Sequence, residues 1–235
     1  MTSKSIKNKI ASFEMGKVFR LEDLGLSRTE QNAAVVALGR LVQEGEIKRL
    51  SPGTYYKPKQ TRFGVVGPSM EERFRDLLYD NDTPIGYLTG FYAFNLLELT
   101  TQQSATLEVG TNFPKRNGKR GIYAIRFVLQ KNPISRDNIE MLRLLDCLKW
   151  IKKIPDTTTD KSYILLKKKV NEYAKEEQKQ LVELALKYSP LTRALLGSML
   201  TDELLATTLY QTLSPLTRFR IGLSPNLVSN QWNIQ

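Results

Sequence analysis

Residues 27–56, SRTEQNAAVVALGRLVQEGEIKRLSPGTYY, decide the expectation for the N-terminal fold. Ser27 and Glu30 stand at the S-x-x-E spacing of a capping box, which satisfies two orphan N–H groups at a helix start. Ala34, Leu38, Leu41 and Val42 follow as one apolar stripe at helical period, and Gly45 stops the helix. Glu46 to Leu50 reads as a strand, Ser51-Pro52-Gly53 as a turn and Thr54 to Tyr56 as the return strand. Upstream, Ile6, Ile10 and Phe13 share one face of a helix over Ser3 to Glu14, and Gly16 ends it. Val18-Phe19 suits a short strand, and Leu21 to Leu24 a short second helix closed by Gly25. Three helices followed by a β-hairpin is the order of a winged helix-turn-helix, so residues 1–60 are expected to form a domain that binds double-stranded DNA.

The stripe sorts the residues of the third helix. With Ala34, Leu38, Leu41 and Val42 turned to the core, the opposite face carries Arg28, Thr29, Asn32, Val36 and Gln43. Recognition helices read the major groove mainly through their first turns, which selects Arg28, Thr29 and Asn32. Arg pairs with guanine there and Asn with adenine. Ser27 is mainly a cap, at a helix N-terminus that also favours phosphate. Lys48 and Arg49 lie on the wing, with Lys57 and Lys59 behind it, and suit phosphate contacts. Residues 1–60 hold 11 Lys/Arg and 6 Asp/Glu, almost half of a chain net charge of +11 in about a quarter of the 235 residues. That density favours a polyanion, although some winged helices serve protein contacts instead.

Composition narrows the chemistry. Histidine is absent, which removes His acid/base catalysis, the Ser-His-Asp and Cys-His arrangements and HExxH zinc sites together. Cys147 is the only cysteine, so neither zinc fingers nor an internal disulfide can form, and a reducing cytoplasm is expected. Gly118-Lys119-Arg120 lacks the spacing and the Ser or Thr of a phosphate-binding loop. No paired carboxylates stand out. An enzyme is not expected, and no catalytic residue, metal or cofactor is assigned; magnesium chemistry on dispersed Asp and Glu stays open. Residues 1–13 lack a signal-like apolar run, and Ile85 to Leu99 falls short of the ~20 residues of a bilayer span, so a soluble protein without a membrane partner is expected.

Residues 61–235 are expected to form a second, larger α+β domain with a helical C-terminal half, giving an α+β and mainly helical protein. Gln60 to Pro68 reads as a linker, and Ser69 caps a helix to about Tyr79. Ile85 to Leu97 reads as a buried helix whose aromatics are core. Thr106 to Thr111 and Gly121 to Leu129 read as antiparallel partners turning at Asn117-Gly118. Phe113 to Arg136 holds seven basic residues and no acidic one, so Lys115, Arg116, Lys119 and Arg120 form a second basic patch, for nucleic acid, an acidic partner or solvent alone. Asp137 to Ile154, Ser162 to Lys187 and Thr192 to Leu209 read as helices. The pentapeptide Ser189-Pro190-Leu191-Thr192-Arg193 recurs as Ser214-Pro215-Leu216-Thr217-Arg218, each copy a helix start with Pro at the first position.

Three stretches carry a family resemblance. Ala34 to Tyr56 (AVVALGRLVQEGEIKRLSPGTYY) resembles the N-terminal domain of AbiEi-like antitoxins and repressors. Tyr87 to Asn112 (YLTGFYAFNLLELTTQQSATLEVGTN) resembles their central segment, and Leu213 to Ile234 is similar to the end of one subgroup. The resemblance implies the antitoxin half of a toxin–antitoxin, or abortive-infection, pair that represses its own operon. It also implies a nucleotidyltransferase-like toxin as the partner counteracted, often without a stable complex. By it, Arg28, Thr29, Asn32, Lys48 and Arg49 fall on the recognition helix and wing. The alternative that the residues leave open is an RNA- or protein-binding module without sequence-specific DNA binding.

Overall fold

The structure, a computed structural model, describes residues 3–235, except for the side chains of residues 3, 4, 28 and 29. Helices hold 43% of the chain and strands 18%, so the protein is α+β and mainly helical, as its patterning implies. It divides into two compact units, residues 1–75 and 76–235. The boundary lies fifteen residues beyond the expected one at 60/61.

The first unit begins with helix α1 (Ser3–Ala11), strand β1 (Val18–Arg20) and a 3-10 turn (Glu22–Leu24), closed by left-handed Gly25. Helix α2 (Arg28–Gln43), β2 (Lys48–Ser51) and β3 (Thr54–Tyr56) follow. The strands form one antiparallel sheet in the order β1-β3-β2. Ile6 and Ile10 of α1 meet Ala34, Ala37, Leu38 and Leu41 of α2 over Phe19, Leu24 and Ile47. Nine residues of this cluster are buried, which is the i, i+3, i+4 stripe doing what its spacing dictates. The segment expected as a linker is instead a second hairpin, β4 (Lys59–Thr61) with β5 (Gly64–Val66). Gly64 turns it at φ +112°, and Thr61 Oγ1 accepts the Phe63 N–H at 3.2 Å. The helix capped by Ser69 breaks at Phe74 into α3 (Met70–Arg73) and α4 (Arg75–Leu78). The Val18 N–H donates to Glu72 Oε1 at 2.9 Å, which ties α3 to β1 and explains why the first unit runs past residue 60.

The second unit opens with a small hairpin, β6 (Tyr79–Asp80) and β7 (Thr83–Pro84). A four-stranded sheet follows from β8 (Gly86–Thr89), β9 (Thr106–Thr111), β10 (Gly118–Arg120) and β11 (Tyr123–Leu129), ordered β10-β11-β9-β8. Two expectations are corrected here. Only the second half of Ile85 to Leu97 is helical, as α5 (Phe91–Leu96), because Gly90 at φ +62° ends β8. Strand β11 pairs with β9 in parallel; its antiparallel partner is β10, with the turn at Gly121 (φ +59°) rather than at Asn117-Gly118. Asn117 accepts the Phe127 N–H through Oδ1 at 2.9 Å instead of turning the chain.

Helix α6 (Ile139–Lys149) is buried on nearly every side. A 3-10 turn (Ile151–Lys153) leads to α7 (Thr159–Glu172), α8 (Lys175–Ala185), α9 (Pro190–Met199) and α10 (Glu203–Tyr210). The two long helices expected between 162 and 209 each break in two, at caps inside them. Glu177 Oε2 accepts the Ala174 N–H at 2.8 Å, and Asp202 Oδ1 accepts from Leu204 and Leu205 at 3.0 and 3.1 Å. Of the repeated pentapeptides, only the first starts a helix. Its Ser189 accepts the Thr192 N–H, and Ala194, Leu195 and Leu196 bury behind it. Ser214 starts a turn that leaves Leu216 90% exposed.

Candidate nucleic-acid interface

Helix α2 carries the three expected readers, Arg28 and Thr29 in its first turn and Asn32 just beyond it. Ser27 caps the helix at extended φ and ψ, and Glu30 Oε2 accepts from the Ser27 N–H at 3.0 Å and its hydroxyl at 2.6 Å. A carboxylate therefore already sits at the helix N-terminus. This disfavours phosphate at Ser27 and leaves the residue as a cap. Arg28 and Thr29 lie in the first turn by backbone, and their side chains fall outside the described ones. Asn32 is exposed, and Val35 and Val36 beside it are 53% and 57% exposed. Helix α2 thus presents a face of Asn32, Val35 and Val36 that no part of its own unit covers.

Register separates the two cations of β2. Arg49 pairs with Tyr55, which pairs with Phe19; the two rings stack at 6.0 Å on the core side. Lys48 pairs with Tyr56 on the other face, because successive side chains alternate. An irregularity between Arg49 and Ser51 twists the end of β2. Both cations are exposed, and among the described residues neither has an ion-pair partner.

Lys57, expected as a phosphate contact, and Arg120, a member of the second basic patch, both have partners within the protein. Lys57 donates to the carbonyl oxygens of Ala11 and Phe13 at 2.6 and 2.8 Å. It therefore closes the C-terminal end of α1, where carbonyls lack partners and attract a cation. In the second basic patch, Arg120 makes a bidentate pair with Asp76 at 2.7 and 2.8 Å, which removes it from that patch. Lys115 lies over the Phe127 ring at 5.7 Å and, like Arg116 and Lys119, remains exposed.

The second unit also holds a polar centre that no sequence pattern indicated. Asp146 of α6, 2% exposed, accepts from Tyr87 and Thr89 hydroxyls at 2.7 Å each through Oδ2 and from Tyr188 at 3.0 Å through Oδ1. Gln130 bridges the two tyrosines at 2.8 Å each. Burial raises the Asp146 carboxyl above its usual value against these hydrogen bonds, and burial raises both phenols. Perturbed groups often mark active sites, but this carboxylate is 2% exposed and already accepts three hydrogen bonds from its own unit. The network bolts strand β8 to α6 and the end of α8. Among the described residues, no three acidic or cysteine side chains gather as metal ligands, and no helix is long and apolar enough to cross a membrane.

Residues 5–187 match the model of DUF6088, a family of unknown function, and the chain belongs to that family. No curated protein matches the sequence. Among solved structures, the fold is similar to that of the RV2827C protein from Mycobacterium tuberculosis, with a TM-score of 0.57 over 99% of this chain and 89% of the other at 10% identity. That likeness concerns the fold alone.

Proposed function

We propose that this DUF6088 member is a DNA-binding repressor whose first unit acts as a winged helix-turn-helix. The observation that carries the reading is the uncovered face of α2, with Asn32 exposed, in the same small unit as a hairpin bearing exposed Lys48 and Arg49. The chain order and the β1-β3-β2 sheet support it, since they leave α2 and the hairpin as consecutive elements. In this reading α2 enters the major groove. Asn32 takes an adenine edge, and Val36, one turn on, lies against a thymine methyl. Arg28 and Thr29 complete the first-turn contacts, and Lys48 and Arg49 hold phosphates on either side of the wing. The protein works by binding and carries out no turnover of its own.

The resemblance of residues 34–56 and 87–112 to AbiEi-like antitoxins extends the proposal. The repressed promoter is the protein's own, and the second unit counteracts a nucleotidyltransferase-like toxin in the cytoplasm. A gel-shift with the full chain and its own promoter tests the DNA reading. Arg28→Ala or Asn32→Ala should weaken specific binding by ~1–3 kcal/mol. Absence of promoter binding by the intact protein at moderate salt would sink it. Growth rescue on co-expression with the adjacent gene's product tests the antitoxin reading separately.

A further inference from the structure

From Ile47 to Met70 the chain has five basic residues, Lys48, Arg49, Lys57, Lys59 and Arg62, and no acidic one. Lys48 and Arg49 belong to the wing, and Lys57 is spent on α1. The remaining two, Lys59 and Arg62, sit on the β4–β5 hairpin. This hairpin is unusual for a folded unit. It has two strands only, and all six strand residues are exposed. Its tip carries Phe63 at 87% exposure, with the Arg62 guanidinium over the ring at 4.6 Å, and Val65 and Val66 are 40% and 48% exposed. A two-stranded hairpin with no buried face is marginal in water, and it gains stability when something covers it. Among the described residues, neither Lys59 nor Arg62 has an acidic partner.

We infer that the β4–β5 hairpin is a second DNA-contacting arm, which places Lys59 and Arg62 on backbone phosphates and the Phe63 ring against the sugar and base edges between them. The inference rests on the DNA reading of the first unit and adds a contact outside the helix and wing. Charge selects the partner: an acid-free basic surface repels a second copy of itself and attracts a polyanion. Chain length sets the reach. Gly53 at the wing tip and Arg62 at the arm tip are nine residues apart, so they cannot be more than about 32 Å from one another. That is within one turn of duplex DNA, ~34 Å, so both hairpins can touch one site. The Arg62–Phe63 stack presents a charged plane and an apolar ring together, which suits a groove edge where phosphate and sugar alternate.

The test uses the full chain, a labelled promoter duplex and a salt titration of affinity. In the Lys59→Ala/Arg62→Ala protein, the slope of log affinity against log salt should fall by about two. Arg62→Lys should keep its share of that slope, and Phe63→Ala should weaken binding at every salt concentration without changing the slope. Sedimentation velocity should show the same association state for all. These side chains bury nothing, so the melting temperature should not move. If wild-type protein and Lys48→Ala differ in slope while the double variant matches wild type, the arm is refuted and the DNA reading stands. If wild type binds no duplex, both fall. If the double variant or Phe63→Ala changes the association state and leaves the slope intact, the hairpin is a self-association surface and the inference is overturned.

Discussion

At the scale of single residues, identity alone misleads about role. Lys57 and Lys48 are both lysines in a basic hairpin region, yet one closes a helix and the other faces solvent. Lys57→Ala should therefore cost stability, about 1–2 kcal/mol for two charge-assisted bonds at a half-exposed site, and leave the affinity of folded protein for DNA unchanged. Urea unfolding beside a binding titration checks both halves. Lys48→Ala should do the reverse. Asp146 gives a pH-dependent case. Its folded pKa is raised above the ordinary 3.8, so the folded state holds the proton more tightly than the unfolded chain. The stability that this protonation contributes is fully present below pH 3.8 and is lost as the pH rises through the higher folded value. Asp146→Asn removes that dependence. The stability of the variant relative to wild type should rise with pH across the interval, read by chemical denaturation at several pH values. A difference that is flat with pH would contradict burial as the dominant influence.

At the scale of elements, local signals were legible and distant partners were not. The capping box, the apolar stripe and the Ser51-Pro52-Gly53 turn each act within a few residues, so α2, β2 and β3 could be read directly from 27–56. The parallel pairing of β9 with β11 has no local signature, and an Asn-Gly pair between two strands invited the wrong hairpin. The apolar run at 85–97 fits strand or helix equally, and Gly90 decides between them by its left-handed backbone. The Asp146 network joins residues 42 to 59 positions apart, so no motif announces it. Of the candidate interface residues, Asn32, Lys48 and Arg49 are exposed and Lys57 and Arg120 have partners, while the β4–β5 hairpin has no clear signal because Gly64 and Gly67 read as breakers. Close packing is equally invisible from sequence. A methyl at Gly197 of α9 would fall 2.2 Å from the Trp232 ring. Gly197→Ala should displace that ring and the terminal segment paired at Phe219 and Ile234, at a cost of ~1–3 kcal/mol. In a Trp150→Phe background, leaving Trp232 as the one tryptophan, emission should shift to the red. Unchanged emission would show that the terminal segment packs elsewhere.

At the scale of the whole molecule, net charge bears on affinity and not on choice of sequence. The net charge of +11 gives a general attraction to nucleic acid that falls steeply with salt, and it cannot by itself choose a sequence. In the proposed reading, choice comes from the exposed face of α2, with Asn32, Val35 and Val36 uncovered. The second unit is built around buried helix α6, whose Asp146 is hydrogen-bonded to Tyr87, Thr89 and Tyr188. The proposed function requires sequence-specific binding by the first unit. It is tested most directly by fluorescence anisotropy of the full chain with its own promoter duplex and with a scrambled duplex of equal length, at ~0.15 M salt. Binding to the promoter should be at least ~10³-fold tighter than to the scrambled duplex, with most of that margin lost in Arg28→Ala/Asn32→Ala. Equal affinity for the two duplexes would contradict it.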